Sequence, residues 1–183
     1  GDTNVGMFGY INSLGIVNNT HLTSVNISSF KHVGALAGLN SGSITNSYST
    51  GQVVGKYNVG GLVGENTDFG IISYSYSSVN VIGTINGDIG AGQGAGGLVG
   101  TLYLNGSVTN SYHINDVNAN LSNFLYVGGL VGSIISGSVS NSYASDGLVY
   151  GTQNTGGLAG YVDAGSVSDS YSTAGVRGST KQG

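Results

Sequence analysis

Glu65 and Asp68, in "GENTDFG" (64–70), form the only close acidic pair in the 183-residue chain. Two such carboxylates can act as general acid and base at a glycosidic bond, or supply hard oxygen ligands to calcium. The other acids (Asp2, Asp88, Asp116, Asp146, Asp163 and Asp169) rarely share a register with this pair. A carboxylate-lined face like that of polysaccharide-cleaving β-helices is therefore not assembled. The calcium-binding nonapeptide G-G-x-G-x-D-x-U-x is also missing. Glu65 and Asp68 stand as the one metal candidate, and a solvated turn is the preferred reading.

Zinc hydrolysis would need two histidines on one face with a glutamate base, as in H-E-x-x-H. His21, His32 and His113 have no acid or second histidine at ligand spacing and read as surface or incidental. Serine is abundant, but no G-x-S-x-G elbow occurs. No catalytic residue and no cofactor are expected, so the chain reads as a non-enzyme. A sharper possibility lies in five tyrosines, Tyr48, Tyr76, Tyr112, Tyr143 and Tyr171, each at the same place in a recurring phrase. A tyrosine joins an apolar ring to a polar tip, so an exposed row would suit sugar rings or a protein partner. Packing of the rings into a core or over a corner is the structural alternative. A flat ice-binding face has no Thr-x-Thr row to support it, and the sequons at Asn18, Asn26, Asn105 and Asn120 are expected by chance in so Asn- and Ser-rich a chain.

Those tyrosines need elements to position them, and composition limits the choice. Glycine contributes 35 residues, charged residues only 7%, and proline, cysteine and tryptophan none. Hydrophobic residues make up 39% and mean hydropathy is +0.13, so the chain has the apolar content to fold. Four scattered basic residues (Lys31, Lys56, Arg177, Lys181) against eight acids cannot neutralise a nucleic-acid backbone. No apolar run approaches the roughly 18 residues that span a bilayer. Without cysteine there are no disulfides or thiolate metal sites, a lack shared by many bacterial surface proteins and compatible with the cytosol. No signal peptide is visible, and both ends read as cuts in a longer chain.

Two phrases recur in order. "GALAG", "GGLVG" (three times) and "GGLAG" place Leu36, Leu62, Leu98, Leu130 and Leu158 at intervals of 26, 36, 32 and 28 residues. "GSITNSY", "GSVTNSY", "GSVSNSY" and "GSVSDSY" follow, with a divergent "FGIISYSY" that puts Tyr74 where the others have Asn or Asp. A β-branched residue precedes each tyrosine by four (Ile44, Ile72, Val108, Val139, Val167), and five residues after it comes Val53, Val81, Val117, Leu148 or Val176. Helix formers are sparse and no 3.6-residue stripe persists. The repeat predicts an all-β, parallel β-solenoid (β-helix) of about five to six coils, with three short strands per coil. Stacked at about 4.8 Å per coil, it would stand about 30 Å tall.

Glycines flank the leucine either because corners need φ > 0 or because side chains would clash there. Asn141, on the face of Val139 and Tyr143, implies a bend or an internal row of paired amides. The insertions Asn86 to Gly96 and Asn118 to Tyr126 read as loops bulging from one corner. Residues 1–183 form one repeat domain: a degenerate first coil at 1–32, with Phe8 in the leucine place, five repeats over 33–178, and a tail at 179–183.

These phrases resemble the GLUG repeat of bacterial secreted and surface proteins, among them immunoglobulin A peptidases and adhesin-like chains. The resemblance implies an extracellular or cell-surface, non-catalytic structural or adhesive module, a rigid stalk or binding surface for a host protein or glycan. It leaves two alternatives: an accessory domain of a secreted peptidase or glycan-active enzyme, or a subunit self-associating end to end into a fibre.

Overall fold

Every turn of the chain lays down four short extended segments, and each segment pairs in parallel with its equivalents one turn away. The computed structural model describes residues 3–84, 94–119 and 124–178, and those residues contain strands and turns but no helix. Sheet 1 stacks Thr3–Val5, Lys31–Val33, Tyr57–Gly60, Gly94–Gly96, Tyr126–Gly128 and Asn154–Gly156. Sheet 2 stacks Phe8–Ile11, Ala37–Asn40, Val63–Asn66, Val99–Leu102, Val131–Ile134 and Ala159–Val162. Sheet 3 stacks Ile16–Asn18, Ser43–Thr45, Ile71–Ser73, Gly106–Thr109, Gly137–Ser140 and Ser166–Ser168. Sheet 4 begins with the long strands His21–Ser28, Tyr48–Gly55 and Tyr76–Gly83; in later turns each is broken in two, as in Tyr112–Ile114 and Val117–Asn118.

The result is a parallel β-solenoid of six turns. The expected leucine, valine and tyrosine segments correspond to sheets 2, 3 and 4, and the residues leading into the leucine phrase add the short ladder of sheet 1. Residues 3–28 supply strands to all four sheets, although Phe8 lies opposite Ala37 rather than Leu36.

Like stacks on like inside. Leu36, Leu62, Leu98 and Leu130 pack with Ile44, Ile72, Val108 and Val139 in one apolar column, all essentially inaccessible. Val33, Val53, Val59, Val79, Val81, Val117, Val127 and Val149 fill a second. One expected row needs correction. Val149, not Leu148, continues the row of Val53, Val81, Val117 and Val176. The turn at Asp146 (φ 57°) and Gly147 holds one residue more than its counterpart, which shifts the register by one.

The flanking glycines answer to space, not to φ, since none of them has a left-handed backbone. A Cβ on Gly60, Gly96, Gly128 or Gly156 would lie within 2.0 Å of the carbonyl oxygen three residues on. A Cβ on Gly64 or Gly100 would meet the backbone at His32–Val33 or Asn58–Val59 at 2.5–2.6 Å. Sheets 1 and 2 thus close on each other along a crease with no side chains between their backbones.

The described parts of the two insertions belong to the solenoid itself. Gly94, Ala95 and Gly96 form a strand of sheet 1, and Ala119 and Phe124 are wholly buried in the second column. The remaining parts of those segments, 85–93 and 120–123, and the tail at 179–183 lie outside the described residues. The first and last turns have one covered side each, which leaves Leu14 and Ile16 at one end and Val162, Val167 and Val176 at the other exposed.

Candidate functional site

The corner between sheets 3 and 4 is built by three consecutive residues in every turn. First comes a residue in the left-handed region: Asn19, Asn46, Tyr74, Asn110, Asn141 and Asp169 have φ between 47° and 54°. Asn and Asp tolerate this conformation best, and the bend turns their side chains outward. That resolves the position of Asn141. Tyr74 takes the same backbone form and is exposed, so its ring does not interrupt the stack. An internal amide pair does exist elsewhere: in sheet 2, Asn40 Nδ2 donates to Asn66 Oδ1 at 2.7 Å, with both residues buried.

A hydroxyl comes next, buried at Ser47, Ser75, Ser111 and Ser142 and half-buried at Ser170. Ser47, Ser75, Ser111, Ser142 and Ser170 each donate to the carbonyl two residues back, at 2.7–2.8 Å. Each also accepts the main-chain N–H of its equivalent one turn earlier, at 3.1 Å, starting with Thr20. Bending takes that N–H out of the ladder, and an unpaired buried donor costs about 1–3 kcal/mol. The serine therefore clamps one turn to the next.

The third residue is the tyrosine. Rings of Tyr48, Tyr76, Tyr112, Tyr143 and Tyr171 stack with centroids 4.7, 4.7, 4.9 and 5.1 Å apart and planes within 10° of parallel. His21 extends the column at 4.4 Å. The inner rings are half-buried and Tyr171 is exposed, so the column is a surface feature and not core. Burial against neighbouring rings, and then the neighbouring phenols, raise Tyr76 and Tyr112 above the ordinary tyrosine pKa; at Tyr143 burial is joined by Tyr171 and Asp146.

Outside the crease between sheets 1 and 2 lies a cleft of about 650 Å³, lined by Phe30, Lys31, His32, Tyr57, Asn58, Glu65, Thr101, Tyr103 and Ile135. Glu65 belongs here, and its partners differ from the sequence pairing. Its Oε2 accepts from Asn58 Nδ2 at 2.7 Å and lies 3.3 Å from His32 Nε2. Asn4 Oδ1 holds the other ring nitrogen of His32 at 2.6 Å. Asp68 instead sits in a left-handed turn, accepting from Ser41 Oγ at 3.5 Å. Among the described residues no three His, Cys, Asp or Glu side chains converge as a metal site.

Sequence reasoning missed His32, Asn58 and the aromatic walls. Asn4, His32 and Asn58 occupy one register of sheet 1, all in the left-handed region. Glu65 joins them across the crease, from the same turn as Asn58 and the turn after His32. The available signal was that His32 stands in a register where Asn4, Asn58 and Asn154 recur, and Glu65 in one that is otherwise uncharged.

One more titratable group is internal. His113 is 1% exposed, beside Ser77 in the sheet-4 register. Gly97 makes room for the ring, since a Cβ there would meet His113 Cδ2 at 2.1 Å. Burial outweighs the hydrogen bond to the Asn115 carbonyl and the nearby Asp116, and pulls the imidazole down to about 4.

The GLUG motif matches this chain over residues 31–54, 55–82 and 151–177, so the chain carries GLUG repeats. No curated protein shows significant similarity to it. Among solved structures, a Bacteroides ovatus protein described as a "putative immunoglobulin A1 protease" superposes with a TM-score of 0.66 at 19% identity. That likeness covers 89% of this chain and half of the other protein's length, and at this identity it establishes the shared solenoid fold. Among the described residues, no helix is long and apolar enough to cross a membrane.

Proposed function

We propose that this chain is a non-catalytic structural and adhesive repeat module of a secreted or cell-surface protein, a rigid spacer that grips a host protein or glycan through its tyrosine column. The half-exposed stack of five rings carries this reading. It holds phenol edges and hydroxyl tips in a straight row, the amphipathic surface that large-area recognition favours. Rigidity comes from the same source, because every turn is hydrogen-bonded to the next on four sheets. The GLUG repeats support a location outside the cell.

The test is retention of beads coated with the chain on surfaces of immobilised mucin, collagen and fibronectin. Tyr76→Ser, Tyr112→Ser and Tyr143→Ser combined should abolish retention while the circular dichroism spectrum keeps its β signature. Retention equal to that of the unaltered chain would remove the column from the binding face.

The likeness to the Bacteroides ovatus structure supports a second reading, an accessory domain of a secreted peptidase. On that reading the chain alone captures immunoglobulin A1 on a sensor surface without cleaving it.

A further inference from the structure

We propose that the cleft outside the sheet 1–sheet 2 crease is a carbohydrate-binding site that seats a neutral hexopyranose. The lining is divided as such a sugar is. Phe30, Tyr57 and Tyr103 offer aromatic surface to the C–H faces of a pyranose ring, and Glu65 and Lys31 offer hydrogen bonds to its hydroxyls. Phe30 and Tyr57 are held against each other at 5.1 Å, and Lys56 lies 5.6 Å over the Phe30 ring, so this wall is fixed before a ligand arrives.

The polar side is fixed as well. Asn58 is 5% exposed, and its amide bridges the cleft: Nδ2 donates to Glu65, and Oδ1 accepts from Thr101 Oγ1 at 3.1 Å. Asn4 orients His32, and His32 braces the carboxylate. Both contacts to Glu65 fall on Oε2, which leaves Oε1 to accept from ligand hydroxyls. A carboxylate held in this way makes short, charge-assisted hydrogen bonds without first losing side-chain freedom.

Two observations separate this cleft from mere architecture and from other ligands. In the register of Glu65 the other turns carry Tyr10, Leu39, Thr101, Ser133 and Tyr161, so the solenoid does not require an acid there. The backbones of both sheets are spent on neighbouring turns, so an extended peptide would find no free strand edge inside the cleft.

The experiment is a glycan array carrying neutral, sialylated and sulfated oligosaccharides, followed by titration calorimetry of the 183-residue chain with the tightest neutral glycan. Binding to neutral hexose oligosaccharides is expected, weakened at least about tenfold by Glu65→Gln, the loss of about one charge-assisted hydrogen bond. Tyr57→Ala, or Tyr103→Ala where the former disturbs folding, should weaken it comparably, whereas Tyr143→Ser should leave it unchanged. No neutral glycan bound, binding confined to acidic glycans or peptides, or full affinity in Glu65→Gln would each overturn the proposal. Because the tyrosine column is tested by its own variants, the two sites fail separately.

Discussion

At the tyrosine corner most turns supply the same three residues, Asn, Ser and Tyr, whereas across the crease the residues facing the cleft vary more from turn to turn. Both places border the same solenoid and both contain left-handed residues. At the corner, however, Asn46, Asn110 and Asn141 are interchangeable, and the serine clamp repeats with the same distances. At the crease His32, Asn58 and Glu65 form one local network that recurs in no other turn among the described residues. Repetition here marks what the architecture needs, and departure from it marks what the architecture leaves free for recognition.

The largest test of that contrast is Gly128→Ala, on the crease but in its repeated part. The new Cβ would lie 1.9 Å from the Val131 carbonyl oxygen, so the backbone must move. We expect about 3 kcal/mol or more of lost stability, read as a lower urea midpoint. An unchanged midpoint would show that the close approach of the two sheets is dispensable.

His113 comes next, as a departure from the repeat that lies inside. Its folded pKa, about 4, is below the ordinary 6.5, so the neutral ring is favoured by folding. The corresponding stability is complete above pH 6.5 and is lost as pH falls toward 4, by about 3 kcal/mol in all. Thermal melts between those values should show the decline, and His113→Ser, which restores the residue found at Ser49 and Ser77, should flatten it. A parallel decline in both proteins would place the acid sensitivity elsewhere.

A smaller effect belongs to Ser111→Ala. It removes one clamp and strands the Ser75 N–H, at a cost of about 1–3 kcal/mol. Hydrogen exchange should quicken at Ser75 first, and uniform quickening would argue against a local clamp. The smallest is Glu65→Gln, whose partly exposed contact with His32 contributes about 0–1 kcal/mol. Its melting temperature should hardly move, which is what makes it a clean probe of binding. A large drop would recast the cleft network as structural.

The solenoid was readable because leucine, β-branched residue and tyrosine recur in fixed order, and stacking makes recurrence visible. The step from Leu148 to Val149 was not, because one added turn residue shifts a register without altering residue types. For the glycines, composition allowed either a conformational or a spatial reason, and only the distances to Val63, Val99 and Val131 decide for space. The serine in "NSY" was plain to see, but its task depends on an N–H freed by the bend. Proximity in sequence set Glu65 beside Asp68, whereas the register between turns delivers His32 to it from 33 positions away.

The chain has no tryptophan, so its near-ultraviolet light is absorbed and emitted by tyrosine. In the column those phenols lie face to face at 4.7–5.1 Å, close enough for an excited ring to hand its energy to the next. Light taken up by one of these rings can be handed along the row before it is re-emitted. The molecule thus carries a built-in optical gauge of whether its turns are stacked.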